Sequence, residues 1–297
     1  MAALTRYRLD GGVLVLQSRL WATNSVVVPA GDACLLVDPS IFPDEIEAVR
    51  SASSSYGRVY VLVTHSDFDH VCGVPAFPDA TIVAGPTTAG AIAAGTARRA
   101  LDEAQREWRT SWVGSPRVDL VLDGDAVRCG TCDVAAIDAR GHGDDGEAFV
   151  VAELGLLLPG DYLSAVCHPI VLGSLTSALA THERLLRALG EWSITTVVPG
   201  HGPALTRDQA RRIAGQDSDY LRALQTAAAD VVRAGADAED AVATVRSVPP
   251  PRPARPDFEA LGLLAANARA ALADAGHPAF ARAGESDAGG VRSPVRP

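Results

Sequence analysis

Short apolar runs separated by polar turns set the rhythm of this chain. Residues 13–17 (VLVLQ), 24–28 (NSVVV) and 33–38 (ACLLVD) are aliphatic and β-branched, bounded by Gly11-Gly12 and by Pro29-Ala30-Gly31-Asp32, so they are predicted strands. Pro43 to Arg50 is a predicted helix, with Pro near its first turn and acidic residues following. Residues 58–64 (RVYVLVT) are apolar nearly throughout rather than alternating, which marks a strand covered on both faces. A short strand follows at 81–84, and the Ala-rich stretch from Thr87 to Trp112 is predicted helical, in two pieces about Gly95.

The second half repeats the theme. Strands are predicted at 118–122, 133–138, 148–152, 155–158 and 196–198. Ser177 to Leu189 is amphipathic, with Leu179, Leu185, Leu186 and Leu189 near one stripe. Thr206-Arg-Asp-Gln209 fits a capping box and opens a long helix toward Val232. Strands mixed with helices in both halves indicate a layered α/β protein. Residues 249–256 (PPPRPARP) have the composition of a linker, Phe258 to Ala273 of a short helix, and the tail after Arg282 of a disordered segment. The expected organisation is one α/β domain over 1–248, a Pro-rich linker over 249–256, and a C-terminal helix and disordered tail over 257–297.

Composition narrows the function classes. The chain has 297 residues, 47% of them hydrophobic, enough for a large core. Its formal net charge is −10 and every basic residue is Arg, an acidic balance that argues against a nucleic-acid partner. No run of eighteen apolar residues occurs, and the N-terminal MAALTRYRLDGG lacks an apolar run of signal-peptide length. The expectation is a cytoplasmic protein with no membrane partner and a small-molecule substrate; the oligomeric state is left open. The five cysteines are odd in number and irregular in spacing, so no disulfide framework is expected. Cys129-Gly-Thr-Cys132 lies between two strand-like runs and reads as the turn of a hairpin.

The chemistry-bearing residues all follow predicted strands. Val61-Leu-Val-Thr64 runs into His65-Ser-Asp67-Phe-Asp69-His70, four candidate ligands within six residues. Crowded carboxylates repel and unpaired imidazoles are costly to bury; a divalent cation resolves both problems. His142 stands between two glycines after a strand, Asp161 follows Pro159-Gly160, and His201 sits in Pro199-Gly-His-Gly202. Each alone is a weak signal. Their order together, H-x-[HD]-x-D-H, then G-H, then G-D, then P-G-H-G, resembles the metallo-β-lactamase superfamily over roughly residues 10–235.

That resemblance implies an αβ/βα sandwich of four layers with metals at one edge. By position it implies His65, Asp67 and His142 at a first metal, Asp69, His70 and His201 at a second, and Asp161 bridging them. It implies two divalent metal ions, zinc first, with iron or manganese as alternatives. It also implies hydrolysis by a metal-bound hydroxide that Asp69 helps to orient. The chain departs from the family at Asp67, where most members have His. A carboxylate there makes a harder, more anionic site, which favours iron or manganese more than three imidazoles do.

Other residues carry weaker signals. His168, a few residues after Asp161, is a candidate substrate contact at the mouth of the site, against the plain reading of a loop histidine. His182 and His277 read as solvated, Phe68 as packing beneath the metal loop, and Arg140 as a partner for a metal-site carboxylate. Trp108 and Trp112 are candidates for lining the pocket. The leading function is hydrolysis of a small-molecule ester, thioester or lactone, on a plan that resembles hydroxyacylglutathione hydrolases. The alternatives are an iron-dependent oxidoreductase or dioxygenase, a phosphodiesterase, and a non-catalytic binding protein.

Overall fold

The computed structural model describes residues 4–108, 114–124, 126–254, 256–259 and 261–281. A seven-stranded sheet is built in chain order from β1 (Thr5–Arg8), β2 (Leu14–Gln17), β3 (Asn24–Ala30), β4 (Ala33–Val37), β5 (Arg58–Leu62), β6 (Thr81–Ala84) and β7 (Leu120–Val121). It is antiparallel from β1 to β4 and parallel from β4 to β7. Helices α1 (Pro43–Ser53), α2 (Phe68–Val71), α3 (Pro86–Ala93) and α4 (Thr96–Trp108) connect its later strands. A six-stranded sheet follows from β8 (Val127–Cys129), β9 (Cys132–Asp138), β10 (Glu147–Val151), β11 (Leu156–Leu158), β12 (Thr196–Val197) and β13 (Leu205–Thr206). Its β11–β12 pair is parallel, joined through the crossover helix α5 (Leu175–Glu191). The long helix α6 (Arg207–Ala234), α7 (Ala238–Arg246), α8 (Pro256–Glu259) and α9 (Leu263–Asp274) complete the described chain.

Strand alternation explains the layering. In β4, Leu35 points into the core between the two sheets, where it meets Phe149 and Leu158, while Leu36 points into the core under Ile46, Val49 and Leu101. In β5, Leu62 and Val61 divide the same way. On the far side, Val150 and Leu157 meet Leu185 and Leu189 of α5 and Ile213 and Ala214 of α6. Helices therefore cover both outer faces of two packed sheets, the four-layer αβ/βα sandwich. The near-continuous apolar character of β4 and β5 follows from burial on both faces.

The second-half helices behave as their sequences require. α5 buries Leu175, Ala178, Thr181, His182, Leu185, Ala188 and Leu189, one stripe at helical spacing, and Ser174 caps it by accepting from Ser177 N. The capping box at Thr206 and Gln209 is formed, and Gly235 closes α6 in the left-handed conformation. β1, α7 and β13 are elements that the apolar pattern does not announce. The cysteine pair also differs from expectation in detail: Cys129 and Cys132 are register partners at the ends of β8 and β9, both buried, and only Gly130-Thr131 forms the turn.

Past α7 the chain turns back over the body. Arg252 lies 14% exposed and pairs in a bidentate manner with the buried Asp217 of α6, at 2.7 and 2.9 Å. Phe258 and Leu263 are buried with Cys167 and Ile170, and Asn267 is fully buried. The tail after Arg282, Trp112 and the Trp108 side chain lie outside the described residues. Among the described residues no helix is long and apolar enough to cross a membrane.

Candidate metal centre

Five strand ends converge at one edge of the sandwich. Asp38 follows β4, His65 follows β5, His142 follows β9, Asp161 follows β11 and His201 follows β12. The two sheets are tied together there. Asn24 Nδ2 donates to the carbonyls of Pro199 (2.8 Å) and Gly202 (2.7 Å), and Thr23 bridges to His201. Close approach dictates two of the glycines: a Cβ at Gly200 would collide with Asp161 Oδ1, and one at Gly141 with the backbone of α5 at Ala178.

The structure brings six of the seven candidate ligands together in two groups, with Asp67 beside the first. Ligand atoms of His65, His142 and Asp161 lie within 4.8 Å of one another, as do those of Asp69, His70 and His201. The Asp161 carboxylate stands between the groups. Its Oδ1 is 3.2 Å from His70 Nε2, and its Oδ2 is 3.0 Å from His201 Nε2, 3.4 Å from His142 Nε2 and 4.0 Å from His65 Nε2. Asp69 Oδ2 lies 3.4 Å from His70 Nε2 and 3.5 Å from His201 Nε2. Asp67 Oδ2 lies 3.2 Å from His142 Nε2 and 3.6 Å from His65 Nε2. Asp67 differs from the rest in exposure, 41% against 6% or less for the other ligand side chains.

The six-residue ligand motif earns this geometry from a helix start. Asp67 is the N-cap residue of α2, in extended conformation, so its side chain leaves the helix. Asp69 and His70 sit within the single turn of α2 and are carried inward.

The outer face of every imidazole is fixed. His70 Nδ1 contacts Asp38 Oδ2 at 2.8 Å, and His65 Nδ1 contacts Thr64 Oγ1 at 3.0 Å. His142 Nδ1 faces the Ile170 carbonyl at 3.1 Å, and His201 Nδ1 faces the Trp21 carbonyl and Thr23 Oγ1, each at 3.2 Å. With each Nδ1 held, all four Nε2 atoms point into the cluster. Asp38 also accepts from Thr64 N (3.0 Å) and Thr64 Oγ1 (2.7 Å), so one carboxylate supports two histidines. Asp38, Trp21 and Leu163 hold left-handed backbone although none is glycine, which concentrates strain beside the cluster.

Charge in the cluster is strongly coupled. Burial pulls the His142 ring down, but Asp161 and Asp67 prevail and push it up to about 9. The same contest, won by Asp69, Asp161 and Asp38, holds His70 well above the ordinary imidazole range. Desolvation opposes ionisation of Asp161, yet His201, His70 and His142 hold it well below the usual carboxylate range. Asp67 is likewise held low against desolvation, by its hydrogen bond with His142 and by the nearby His65 ring. Several inward atoms nevertheless have no hydrogen-bond partner, namely His65 Nε2, His70 Nε2 and Asp161 Oδ1. Orphaned buried nitrogens and oxygens facing one another, in a set of imidazoles and carboxylates, fit divalent cations.

Other expectations are corrected. His168 is 3% exposed, so it does not stand at a mouth; it packs 6.3 Å from Tyr220 and lines a cavity of about 10 Å³ with His182 and Asp217. His182 and His277 are buried rather than solvated. Arg140 pairs with Asp138 at 2.9 Å, not with a cluster carboxylate. Phe68, as expected, packs rather than facing a substrate: it lies against the core and meets Trp21 edge-on at 5.6 Å. Asp38, Thr64 and Thr23 are functional candidates that the motif reading missed. For Asp38 a signal existed: like the ligands, it is a polar residue closing a buried strand.

Comparison with known proteins agrees with this geometry. The family model of the Metallo-beta-lactamase superfamily matches residues 18–221, more than half of the chain. The chain belongs to that superfamily, and with it to the metallo-hydrolases, whose members use metal ions, typically zinc. A hydroxyacylglutathione hydrolase from Cereibacter sphaeroides is 34% identical over 116 residues, a match spanning 39% of this chain and 38% of that one. The stereoselective inverting sec-alkylsulfatase Pisa1 from Pseudomonas sp. superposes with a TM-score of 0.71 at 13% identity, over 93% of this chain and 51% of that one. A metallo-beta-lactamase from Pontibacter korlensis superposes with a TM-score of 0.54 at 15% identity, over 72% of this chain and 99% of that one. At these identities the structural likenesses show the fold.

Proposed function

We propose that this protein is a dinuclear metallo-hydrolase acting on an ester, thioester or lactone of a small molecule. The observation that carries the reading is the convergence of four imidazole Nε2 atoms on the one Asp161 carboxylate, all within 4.0 Å. His65, Asp67 and His142 would hold a first cation and Asp69, His70 and His201 a second, with the Asp161 carboxylate placed between the two groups. Bound there, such cations would supply Lewis acidity toward a scissile carbonyl.

The remaining work belongs to the chain. Asp69 accepts a hydrogen bond from Thr23 Oγ1 (3.3 Å), which orients its carboxylate toward the cluster, where it would help to orient the attacking nucleophile. Tyr162 locks the His142 turn: its hydroxyl accepts from His142 N (2.9 Å) and donates to the Arg140 carbonyl (2.9 Å). Asp145 holds the start of the ligand loop by accepting from Ser66 N and Ser66 Oγ, each at 2.9 Å. The partial identity to a hydroxyacylglutathione hydrolase supports a carbonyl substrate over a phosphodiester.

Asp67 favours one second reading, an iron-dependent oxidoreductase, because a carboxylate hardens the first site. One experiment separates the two. Protein purified without added metal is analysed for zinc, iron and manganese, then assayed on an ester, thioester, lactone and phosphodiester panel before and after chelation. Chelator-sensitive cleavage of a carbonyl substrate supports the hydrolase. Iron content with oxygen consumption and no hydrolysis overturns it.

A further inference from the structure

The matched family region ends at residue 221, yet the chain beyond it returns to the metal centre at three points. Asn267 of α9 is fully buried; its Oδ1 accepts from Val171 N at 2.8 Å and its Nδ2 donates to the Pro169 carbonyl at 2.7 Å. It thereby grips the residues on either side of Ile170, whose carbonyl fixes His142 Nδ1. Arg252, anchored on Asp217, donates through Nε to the Ser164 carbonyl at 2.9 Å, and Ser164 Oγ donates to the His201 carbonyl at 3.0 Å. Phe258 of α8 packs edge-on against the His201 ring at 5.2 Å and stacks on Trp21 at 5.9 Å.

We infer that Arg252, Phe258 and Asn267 are a built-in part of the metal centre, with Asn267 positioning His142 of the first site and Arg252 positioning His201 of the second. The inference rests on the dinuclear reading above. Two features set these residues apart from ordinary packing. Asn267 hydrogen-bonds the peptide whose carbonyl faces His142 Nδ1, and Arg252 holds the backbone of Ser164, whose hydroxyl donates to the His201 carbonyl. Each also acts on a different group: Asn267 reaches the group of His65, His142 and Asp161, and Arg252 that of Asp69, His70 and His201. A segment that merely added stability would weaken both sites together or neither. This segment sets the two independently, because an imidazole whose outer contact drifts loses the ring angle that its metal bond requires.

The test compares full-length wild type with Asn267→Ala, Asn267→Asp and Arg252→Met. Metal dissociation constants are read by chelator competition, cobalt(II) absorption spectra report each site, and melting temperatures are taken with metal removed. Asn267→Ala is expected to weaken the first site by roughly 10–100-fold and leave the second within about threefold; Arg252→Met does the reverse. Asn267→Asp keeps the acceptor for Val171 N but loses the donor to Pro169, so it moves the first site in the same direction by less. It carries the test where Asn267→Ala does not fold. Folded variants with lower melting temperatures but unchanged metal constants and cobalt spectra overturn the inference. Wild type that binds no metal overturns the dinuclear reading itself, and the inference with it.

Discussion

The two halves of the candidate centre each take residues from one six-residue stretch, yet they differ in kind. Asp69, His70 and His201 are all buried, with two imidazoles and a carboxylate whose outer contacts are protein groups. The half formed by His65, His142 and Asp67 carries the cluster's exposed side chain, Asp67 at 41%. The difference arises from a single helical turn. Residues inside α2 are swept inward, while its N-cap residue is left at the rim. One half sits deep and the other meets solvent at Asp67.

The sharpest way to break this comparison is to remove one imidazole from each half. His142→Ala and His201→Ala should each lower turnover by more than the roughly 10–100-fold that loss of a supporting group costs, while circular dichroism stays unchanged. Near-normal rates with full metal content would refute the ligand assignment. Asp67 should be the most permissive ligand. Asp67→Ala is expected to release the first metal and keep the second. Asp67→His should move preference toward zinc and shift the pH–rate profile to lower pH, since less ligand charge leaves the cation more acidic. Elemental analysis and pH profiles of the three proteins check this.

A smaller effect belongs to the support of the closed half. Asp38→Asn should keep the fold and weaken the second metal by about 10–100-fold, because His70 Nδ1 loses its carboxylate. Chelator competition reads it, and equal constants in wild type and variant would speak against the role. The last effect lies outside the centre and concerns stability rather than metal binding. Burial holds the His182 ring down at about 3, below its unfolded value. Its contribution to stability is therefore present above pH 6.5 and is lost as pH falls toward 3, where the unfolded ring takes a proton and the folded one does not. His182→Leu should flatten the fall in stability between pH 7 and pH 4, measured by denaturant unfolding.

Much of this was legible because the chemistry follows buried strands. β5 and the ligand loop after it stand next to one another in sequence, so their pattern survives without any knowledge of tertiary structure. His142, Asp161 and His201 are spread along the chain, and only their common setting after strands, among glycines, links them. The supporting groups were hidden for a physical reason. Asp38 and Thr23 act through contacts made only when the sheets stack, and carbonyls such as those of Ile170 and Trp21 carry no side-chain signature. The buried state of His182 was missed because a histidine on an amphipathic stripe reads as polar. The run at 249–256 has the composition of a linker, and nothing in that composition reveals that Arg252 pairs with Asp217.

The central claim, two cations held on either side of Asp161, is tested most directly by anomalous scattering from crystals grown with zinc. The account predicts two peaks about 3.5–4 Å apart, one bounded by His65, Asp67 and His142, the other by Asp69, His70 and His201, with Asp161 touching both. Fully loaded crystals that show no peak among these residues, or a single peak that leaves one group without metal, would contradict it.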